Sequence, residues 1–350
     1  MAISDSAQVE PPTPLGGGRR SVLRLFARLG PLPALLVVLV IVFTAANPSF
    51  LGGDNLLSVS TQSVFLLLIA LGQMLVLISG GMDLSVGANV ALTSIVSATV
   101  MSAVYGDTPA FTPDAINAGL WTALVVGLVI GLANGLGVAV LNVNPFIVTL
   151  ATSSVFAGIT LLISGGQEVG GLPRTFVYEV GSGSLAGVPV GVLLTVPVVV
   201  VLFLALGWTR YGRHLYAIGS NATAARVAGI KVRVTLLVTY VACAMLTSYA
   251  GWLLTARVSS GQPLLGAQFA LQSITAAIIG GASLRGGRGS VGGTILGVVF
   301  IMLLTNGMNL MRLGSNQQSI AIGLALVFAV VADRLRTRAR TQVAAGKATS

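Results

Sequence analysis

The chain has 350 residues, of which 55% are hydrophobic and only 8% are charged, whereas soluble domains have about a quarter of their residues charged. Its mean hydropathy of +0.94 excludes an ordinary soluble fold, because so much apolar surface needs a lipid environment. The net charge of +10 comes from basic residues that flank apolar runs, which is typical of membrane proteins and argues against a nucleic-acid partner.

Ten apolar runs divide the chain into one transmembrane domain, residues 31–333, between two basic tails. Residues 1–30 are polar and rich in Pro and Gly, which predicts a disordered cytoplasmic tail, and residues 334–350 predict a second basic cytoplasmic tail. The sequence therefore predicts an all-α polytopic membrane protein with about ten transmembrane helices. The run at 267–283 is short and polar at its start, which favours a re-entrant segment or a half-helix. The runs lie at about 31–46, 56–79, 84–105, 117–141, 145–165, 187–207, 234–256, 267–283, 290–311 and 316–332.

The distribution of basic residues predicts that both ends of the chain lie in the cytoplasm. With ten spans, every Lys and Arg falls on the cytoplasmic side except Arg174, Arg257 and Arg312. With nine spans, the two halves of the chain would place their basic residues on opposite sides of the membrane, contrary to the positive-inside rule.

Two apolar runs carry glycines at a spacing of four, which places each set on one helix face and permits close helix packing. We leave two interpretations open, packing within one subunit or a seam between two subunits. The two sets are Gly127, Gly131 and Gly135, and Gly289, Gly293 and Gly297.

Signatures of enzyme chemistry are missing or lack their context. Residues 287–292 fit the GxGxxG pattern, but they lie between two apolar runs and no acidic residue follows about 20 positions later. The sequence has no Walker phosphate-binding motif, and His214 is its only histidine, so neither a histidine triad nor a multi-histidine metal site can form. We therefore predict no enzyme, metal or cofactor, and we expect the single cysteine, Cys243, to be a small buried residue.

Acidic residues fall almost entirely in predicted loops and tails, so the chain lacks an evident proton path. Asp83 alone lies close to membrane depth, at the predicted cytoplasmic turn before the third span. Its carboxylate either caps the next helix by accepting backbone N–H bonds or acts at a gate or subunit contact. A few polar residues within spans either line a translocation path or form hydrogen bonds between helices: Gln73, Asn89, Gln272 and Asn306.

The longest predicted cytoplasmic connection, residues 208–233, is longer than a simple connector requires. Within it, Ser220 or Asn221 can cap a helix of good helix formers, 222–228, and Gly229 supplies the left-handed stop. Such a short capped helix would present a rigid knob to the cytoplasm.

Four segments, in order and at matching spacing, resemble the permeases of ribose-type sugar ABC transporters. Residues 81–87 (GMDLSVG) are similar to the family's GIDLSVG signature, and residues 144–150 (NPFIVTL) to its PPFIxTL segment. The connection at 211–230 and the glycine-rich stretch at 271–293 complete the resemblance, which covers residues 31–335. The signature residues carried over from the family are Gly81, Asp83, Leu84, Ser85 and Gly87.

This resemblance implies a membrane-spanning subunit of an ATP-driven importer in the bacterial inner membrane, which translocates a neutral monosaccharide by alternating access. It implies three partners: a cytoplasmic ABC ATPase, an extracytoplasmic sugar-binding protein and a second permease subunit in a homodimer. The binding protein would meet loops near 47–55, 106–116, 166–186 and 257–266. Residues 220–230 would form the coupling helix that docks into the ATPase, through Asn221, Ala224, Ala225, Arg226, Gly229 and Ile230.

Two further expectations follow at this stage. Either Gly229→Pro or Ala225→Glu is expected to uncouple ATP hydrolysis from transport while it leaves the fold intact. The scarcity of charge within the spans favours an uncharged substrate, since a charged one usually needs a counter-charge. The alternative function is a self-sufficient facilitator or ion-coupled secondary transporter for a small polar solute.

Overall fold

The computed structural model describes the backbone of residues 32–107 and 112–348 and the side chains of residues 32–106 and 112–331. The predicted tail at 1–30 lies outside the described residues. The described chain contains twelve α-helices: α1 (Leu32–Ala46), α2 (Gly53–Ile78), α3 (Val86–Asp107), α4 (Thr112–Gly135), α5 (Pro145–Ser164), α6 (Val190–Trp208), α7 (Arg210–Ser220), α8 (Ala222–Val227), α9 (Val232–Val258), α10 (Phe269–Ile279), α11 (Val291–Leu310) and α12 (Ser315–Ala348).

Seven of these helices are long and apolar enough to cross a membrane, namely α2, α3, α4 with its extension to Val140, α5, α6, α9 and α11. Three shorter apolar stretches, α1, α10 and the first part of α12 (Ser315–Val331), lie at the remaining predicted runs. The chain is therefore an all-α, multi-pass integral membrane protein. Most helix ends lie within a few residues of the ends of the ten predicted apolar runs.

Helix α9 packs against α2, α3 and α4, and the first glycine ladder explains how α4 approaches it. A Cβ atom at Gly131 would lie 2.5 Å from the Cα of Val241, and one at Gly127 would lie 2.7 Å from the Oγ of Ser248. Glycine, whose side chain is a single hydrogen atom, is therefore needed at these positions for the two backbones to come so close. Packing within one subunit is thus confirmed for this ladder.

Two glycines of the second ladder pack in the same way, whereas Gly289 lies before the start of α11 and faces Ile78 of α2. Gly293 lies against the backbone of Gly280, and Gly297 lies against the carbonyl group of Ala276. These contacts join α11 to α10, which has only 11 residues and is about 16 Å long. The short, half-helical alternative predicted for this run agrees with that length.

Three features differ from the predicted elements or were not predicted. Residues 210–220 form α7 within the connection that was predicted to contain only one short helix. The segment before α6 contains a wide helical turn, Phe176–Gly181, and an antiparallel hairpin in which Ser184 pairs with Pro189. The last helix continues to Ala348, because the sequence after the predicted span contains good helix formers and no proline.

Helices α5 and α6 expose most of their length in the single chain. Their exposed side chains are apolar and include Leu162 on α5 and Val201 on α6, which are 84% and 63% exposed. Apolar surface of this extent belongs against lipid or another membrane subunit.

Candidate functional site

The signature turn, residues 80–87, joins α2 to α3 and buries Asp83 to 1% exposure. The Oδ1 atom of Asp83 accepts hydrogen bonds from the Ser85 N–H (2.8 Å) and the Ser85 hydroxyl (2.6 Å). The carbonyl of Ser85 accepts the first helical bond of α3, from the Asn89 N–H (2.8 Å), so Ser85 occupies the N-cap position. Asp83 therefore accepts a backbone N–H as expected, but it closes the turn that precedes the cap.

Two neighbouring helices are bonded to this turn. Asn134 of α4 donates to the Ser85 hydroxyl (2.8 Å) and, more weakly, to Oδ2 of Asp83 (3.4 Å), and it accepts from Thr152 of α5 (2.6 Å). Burial raises the pKa of the Asp83 carboxyl, and the bonds from Ser85 and Asn134 oppose that shift. The turn is thus fixed to the helices around it by a buried polar network.

The other signature residues hold the turn close to its neighbours. A side chain at Gly81 would collide with the hydroxyl of Tyr240 on α9, and a Cβ atom at Gly87 would lie 2.7 Å from the carbonyl oxygen of Gly266. Leu84 packs against an apolar cluster formed by residues of α2, α7 and α10. The contacts of Gly81 and Gly87 explain why glycine occupies these two positions on either side of Asp83.

The coupling loop, residues 208–233, contains α7 and α8 and leads into α9. Asn221 is the cap of α8, since its Oδ1 accepts from the Ala224 N–H (3.0 Å). The helix ends when Ile230 N–H bonds to the Ala225 carbonyl (3.0 Å) and Gly229 adopts a φ of +81°, a left-handed stop. The predicted cap and stop are confirmed, with Asn221 rather than Ser220 as the cap.

One face of α8 is packed and the other is free in the single chain. Ala225 is buried against Ile218 and Val232, and Ile230 packs beside them. Ala224 and Arg226 are exposed, and Val227 is 86% exposed. Glu at position 225 would place a carboxylate in this apolar contact, so we expect that substitution to disturb the packing of α8 as well.

Helix α7 anchors the loop to the bundle. Its Leu215 is fully buried, its Tyr211 hydroxyl bonds to Thr239 of α9 (2.9 Å), and its Tyr216 hydroxyl donates to the Gly289 carbonyl (2.8 Å). Burial raises the pKa of Tyr211 to about 12, so its hydroxyl keeps its proton at neutral pH. Arg210 and Arg213 lie on the exposed side of the same helix, which is therefore amphipathic.

The end of α7 meets the signature turn and the turn between α10 and α11 at a cluster of four glycines, which we call the glycine junction. The Gly287 N–H donates to the carbonyl of Ile78, the last residue of α2 (2.8 Å). A Cβ atom at Gly286 would lie 2.6 Å from the Gly219 carbonyl oxygen and 3.0 Å from the Cα of Gly80. The coupling loop and both turns are thus in direct backbone contact. The junction consists of Gly80, Gly219, Gly286 and Gly287.

Comparisons with known proteins agree on one family. The family model described as "Branched-chain amino acid transport system / permease component" matches residues 55–332. The chain is 39% identical over 315 residues to the ribose import permease protein of Bacillus subtilis, which covers 89% of this chain and 94% of that protein. The chain belongs to the ribose-type sugar ABC permeases.

Further relatives have similar coverage. The D-allose transport system permease protein of Escherichia coli is 33% identical over 302 residues, which is 86% of this chain and 90% of that protein. The galactose/methyl galactoside import permease protein of the same organism is 32% identical over 320 residues, 89% of this chain and 95% of that protein. No solved structure matches the chain.

The four polar span residues of this permease are not brought together. With its amide oriented to satisfy both groups, Gln73 donates to the Asp83 carbonyl (3.0 Å) and accepts from the Asp83 N–H (3.2 Å). Asn89 donates to the Ala244 carbonyl (2.9 Å) and accepts from Ser248 (2.6 Å). Asn89 thus bonds between helices, which was the second interpretation of these positions, whereas Gln73 bonds to the signature turn that follows its own helix.

The remaining two lie elsewhere in the bundle. Asn306 of α11 exchanges two hydrogen bonds with Asn55 of α2 (2.9 and 2.8 Å). Gln272 of α10 is half-buried, and its amide donates to Gln268 one turn earlier (3.3 Å). Among the four, Gln272 alone lacks a hydrogen bond to another element in the described chain.

Sequence reasoning missed the glycine junction and Asn134. The glycines were visible, but contacts between residues 80, 219 and 286 depend on how distant segments fold together. Asn134 lies within the first glycine ladder, beside Gly135, and a buried amide among small residues is the signal that would have found it.

Proposed function

We propose that this permease is the membrane-spanning subunit of an ATP-driven importer that moves a neutral monosaccharide across the bacterial inner membrane. The observation that carries the proposal is the contact between the coupling loop and both glycine-rich turns. Helix α8 offers an exposed face to a partner, and α7 beside it contacts the turns between spans. Such a loop is suited to convert motion of that partner into motion of the bundle.

The topology follows from the same proposal. Ten spans with both ends in the cytoplasm place α8 and the signature turn on the cytoplasmic side. The basic tails at 1–30 and 334–350 then also lie in the cytoplasm, in accord with the positive-inside rule. The start of α2 lies at the opposite end, because its 26 residues extend about 39 Å from the turn.

The coupling step uses α8 as a rigid contact. We infer that a cytoplasmic ABC ATPase binds its exposed face, where Ala224, Arg226 and Val227 lie. When the ATPase moves, Ala225 and Ile230 transmit the displacement to α7 and to the start of α9 through their packing. The glycine junction then passes it to α2 and α10, and the spans rearrange between inward-facing and outward-facing states.

The other partners belong to the opposite end and to the exposed helices. The extracytoplasmic sugar-binding protein would meet the loop at 166–186 and the loop at 257–266. These two are joined by a backbone pair in which Val169 and Gly261 exchange bonds of 2.9 and 2.8 Å. A second copy of the permease would complete the path against exposed apolar helices such as α5, and Gln272 is the polar span residue best placed to contribute to it.

A neutral monosaccharide is supported by two observations. The relatives are named for ribose, D-allose and galactose. The middle turns of the described spans carry no charged residue, and Asp83, in the turn between α2 and α3, is enclosed by Ser85 and Asn134. A membrane interior without a free charge suits an uncharged polyol.

The proposal is tested by affinity purification of the tagged permease from membranes, with the co-purifying chains identified by mass. We expect an ABC ATPase in the wild-type sample and much less of it with Val227→Asp, which places a charge on the exposed face of α8. Leu185→Asp, on a 68% exposed apolar residue of the hairpin, is the matched control and should retain the ATPase. An ATPase that is absent from the wild-type sample would contradict the proposal.

A further inference from the structure

A cavity of ≈ 290 Å³ opens at the end of the bundle opposite to the coupling loop. One wall is a single face of α2, since its residues recur at helical spacing. The second wall is the segment 180–184 after the wide helical turn, and the third is the last turns of α9. The α2 residues that line it are Asp54, Leu57, Ser58, Thr61 and Phe65.

The cavity is lined by two side chains of opposite charge, Asp54 and Arg257. Asp54 lies in the first turn of α2 and Arg257 in the last turn of α9, positions where the helix dipoles favour these signs. Within the described residues no ion pair joins them, and the Arg257 guanidinium donates one long hydrogen bond to the Ser182 hydroxyl (3.4 Å). Hydroxyl groups of Ser58 and Thr61 lie on the wall nearby.

This combination disfavours a simple anion or a simple cation, whereas a neutral polyol can use both groups. An anion would meet the Asp54 carboxylate, and a cation would meet the Arg257 guanidinium. A neutral sugar can donate its hydroxyls to the carboxylate and accept from the guanidinium, while its apolar C–H face packs on Phe65. The volume lies at the lower end of the range for small-molecule sites, which suits a single sugar ring.

We propose that this cavity is a low-affinity monosaccharide subsite of the permease, filled on the extracytoplasmic side before translocation. The inference rests on the proposed function for the sugar class and for the side of the membrane. Its position also fits, because the cavity includes residues from three of the loop regions expected to face the binding protein. Asp54 and Arg257 are its binding residues.

The test is saturation-transfer difference NMR on the purified full-length permease, without binding protein or ATPase, with D-ribose, D-allose and D-galactose. We expect saturable binding of at least one sugar at millimolar concentration. Asp54→Asn and Arg257→Gln should each weaken it by about tenfold, the effect of losing one charge-assisted hydrogen bond. Arg174→Gln, at an exposed arginine outside the cavity, is the matched control and should bind like wild type.

The outcomes separate this inference from the proposed function. No binding of any of the three sugars to wild type, or binding that persists in both cavity variants, would overturn the subsite. If Arg257→Gln instead weakens docking of the loaded binding protein while wild type binds no sugar, the cavity receives a side chain of that protein and the inference also fails. ATP-driven uptake by the reconstituted importer, measured in parallel, shows separately whether the proposed function stands. Thermal unfolding of each variant checks that the fold is retained.

Discussion

At the scale of single residues, Asp83 combines burial with a complete set of local partners. Its Oδ1 atom accepts from both the N–H and the hydroxyl of Ser85, and its backbone is held by Gln73 in the orientation that satisfies both amide groups. A carboxylate buried in this way stabilises the turn through acceptance of hydrogen bonds, whereas its charge is costly. The acceptor and the charge are therefore separable by substitution.

The first prediction separates them. Asp83→Ala leaves the buried Ser85 N–H and hydroxyl without their acceptor, which costs about 1–3 kcal/mol. Asp83→Asn keeps an oxygen acceptor and removes the costly charge, so at neutral pH it should be at least as stable as wild type. Unfolding in mixed detergent micelles measures both variants. Equal destabilisation by both would show that the charge, and not the acceptor, holds the turn.

The second prediction concerns pH. Because burial raises the pKa of the Asp83 carboxyl above its ordinary value of 3.8, the folded chain keeps this proton at pH values where the unfolded chain has lost it. Stability from this group therefore falls as the pH rises from 3.8 through the folded pKa. The stability of wild type relative to Asp83→Asn should decline across that window. A difference that rises with pH would contradict the assignment.

At the scale of elements, the coupling loop is two helices with different tasks. Helix α7 is anchored by Leu215 and Tyr216, whereas α8 rests on it through Ala225 and exposes Val227. Backbone atoms at the glycine junction contact the end of α2 and the turn after α10, and the Tyr211 hydroxyl bonds to α9. These contacts are the route that the proposed coupling step would use.

The third prediction tests that junction. A side chain at Gly219 would collide with the Ile78 carbonyl oxygen and the Gly287 N–H, so Gly219→Ala should separate α7 from the turn. We expect ATPase activity to persist in the assembled complex while uptake falls by about tenfold or more. Gly207→Ala is the control, since a Cβ atom there meets nothing within 4 Å. Uptake that is normal in Gly219→Ala would show that the junction does not transmit the motion.

Local patterns predicted some elements well and others not at all. Asn221 and Gly229 bracket a run of helix formers, so the position of α8 could be predicted from capping chemistry alone. Helix α7 was missed because glycines 212 and 219 weaken its local propensity, and burial of Leu215 and Ile218 in the bundle overrides it. The polar residue Gln73 was open to two interpretations, since its partner at Asp83 depends on the fold of the turn.

At the scale of the whole molecule, the described chain has distinct features at its two ends. The signature turn, the glycine junction and α8 lie at one end, and the cavity between α2 and α9 lies at the other. The glycine ladders pack α4 on α9 and α11 on α10. The ladders therefore form two close-packed helix pairs within the bundle.

The fourth prediction fixes the sidedness of these ends. Cys243 is the only cysteine and is fully buried, so a membrane-impermeant maleimide should not label wild type. Val227→Cys should react only in inside-out vesicles, and Leu185→Cys should react only in intact spheroplasts. Labelling of both from the same side would contradict the ten-span topology.

The most direct test of the central claim is sugar uptake into proteoliposomes that contain the permease. The ATPase is placed on the side of the membrane that exposes α8, and the loaded binding protein on the opposite side. We predict sugar uptake that requires ATP. Uptake should stop with Val227→Asp, which removes the contact with the ATPase. Uptake by the permease alone, without ATPase or ATP, would contradict the account and identify the chain as a facilitator or gradient-driven carrier.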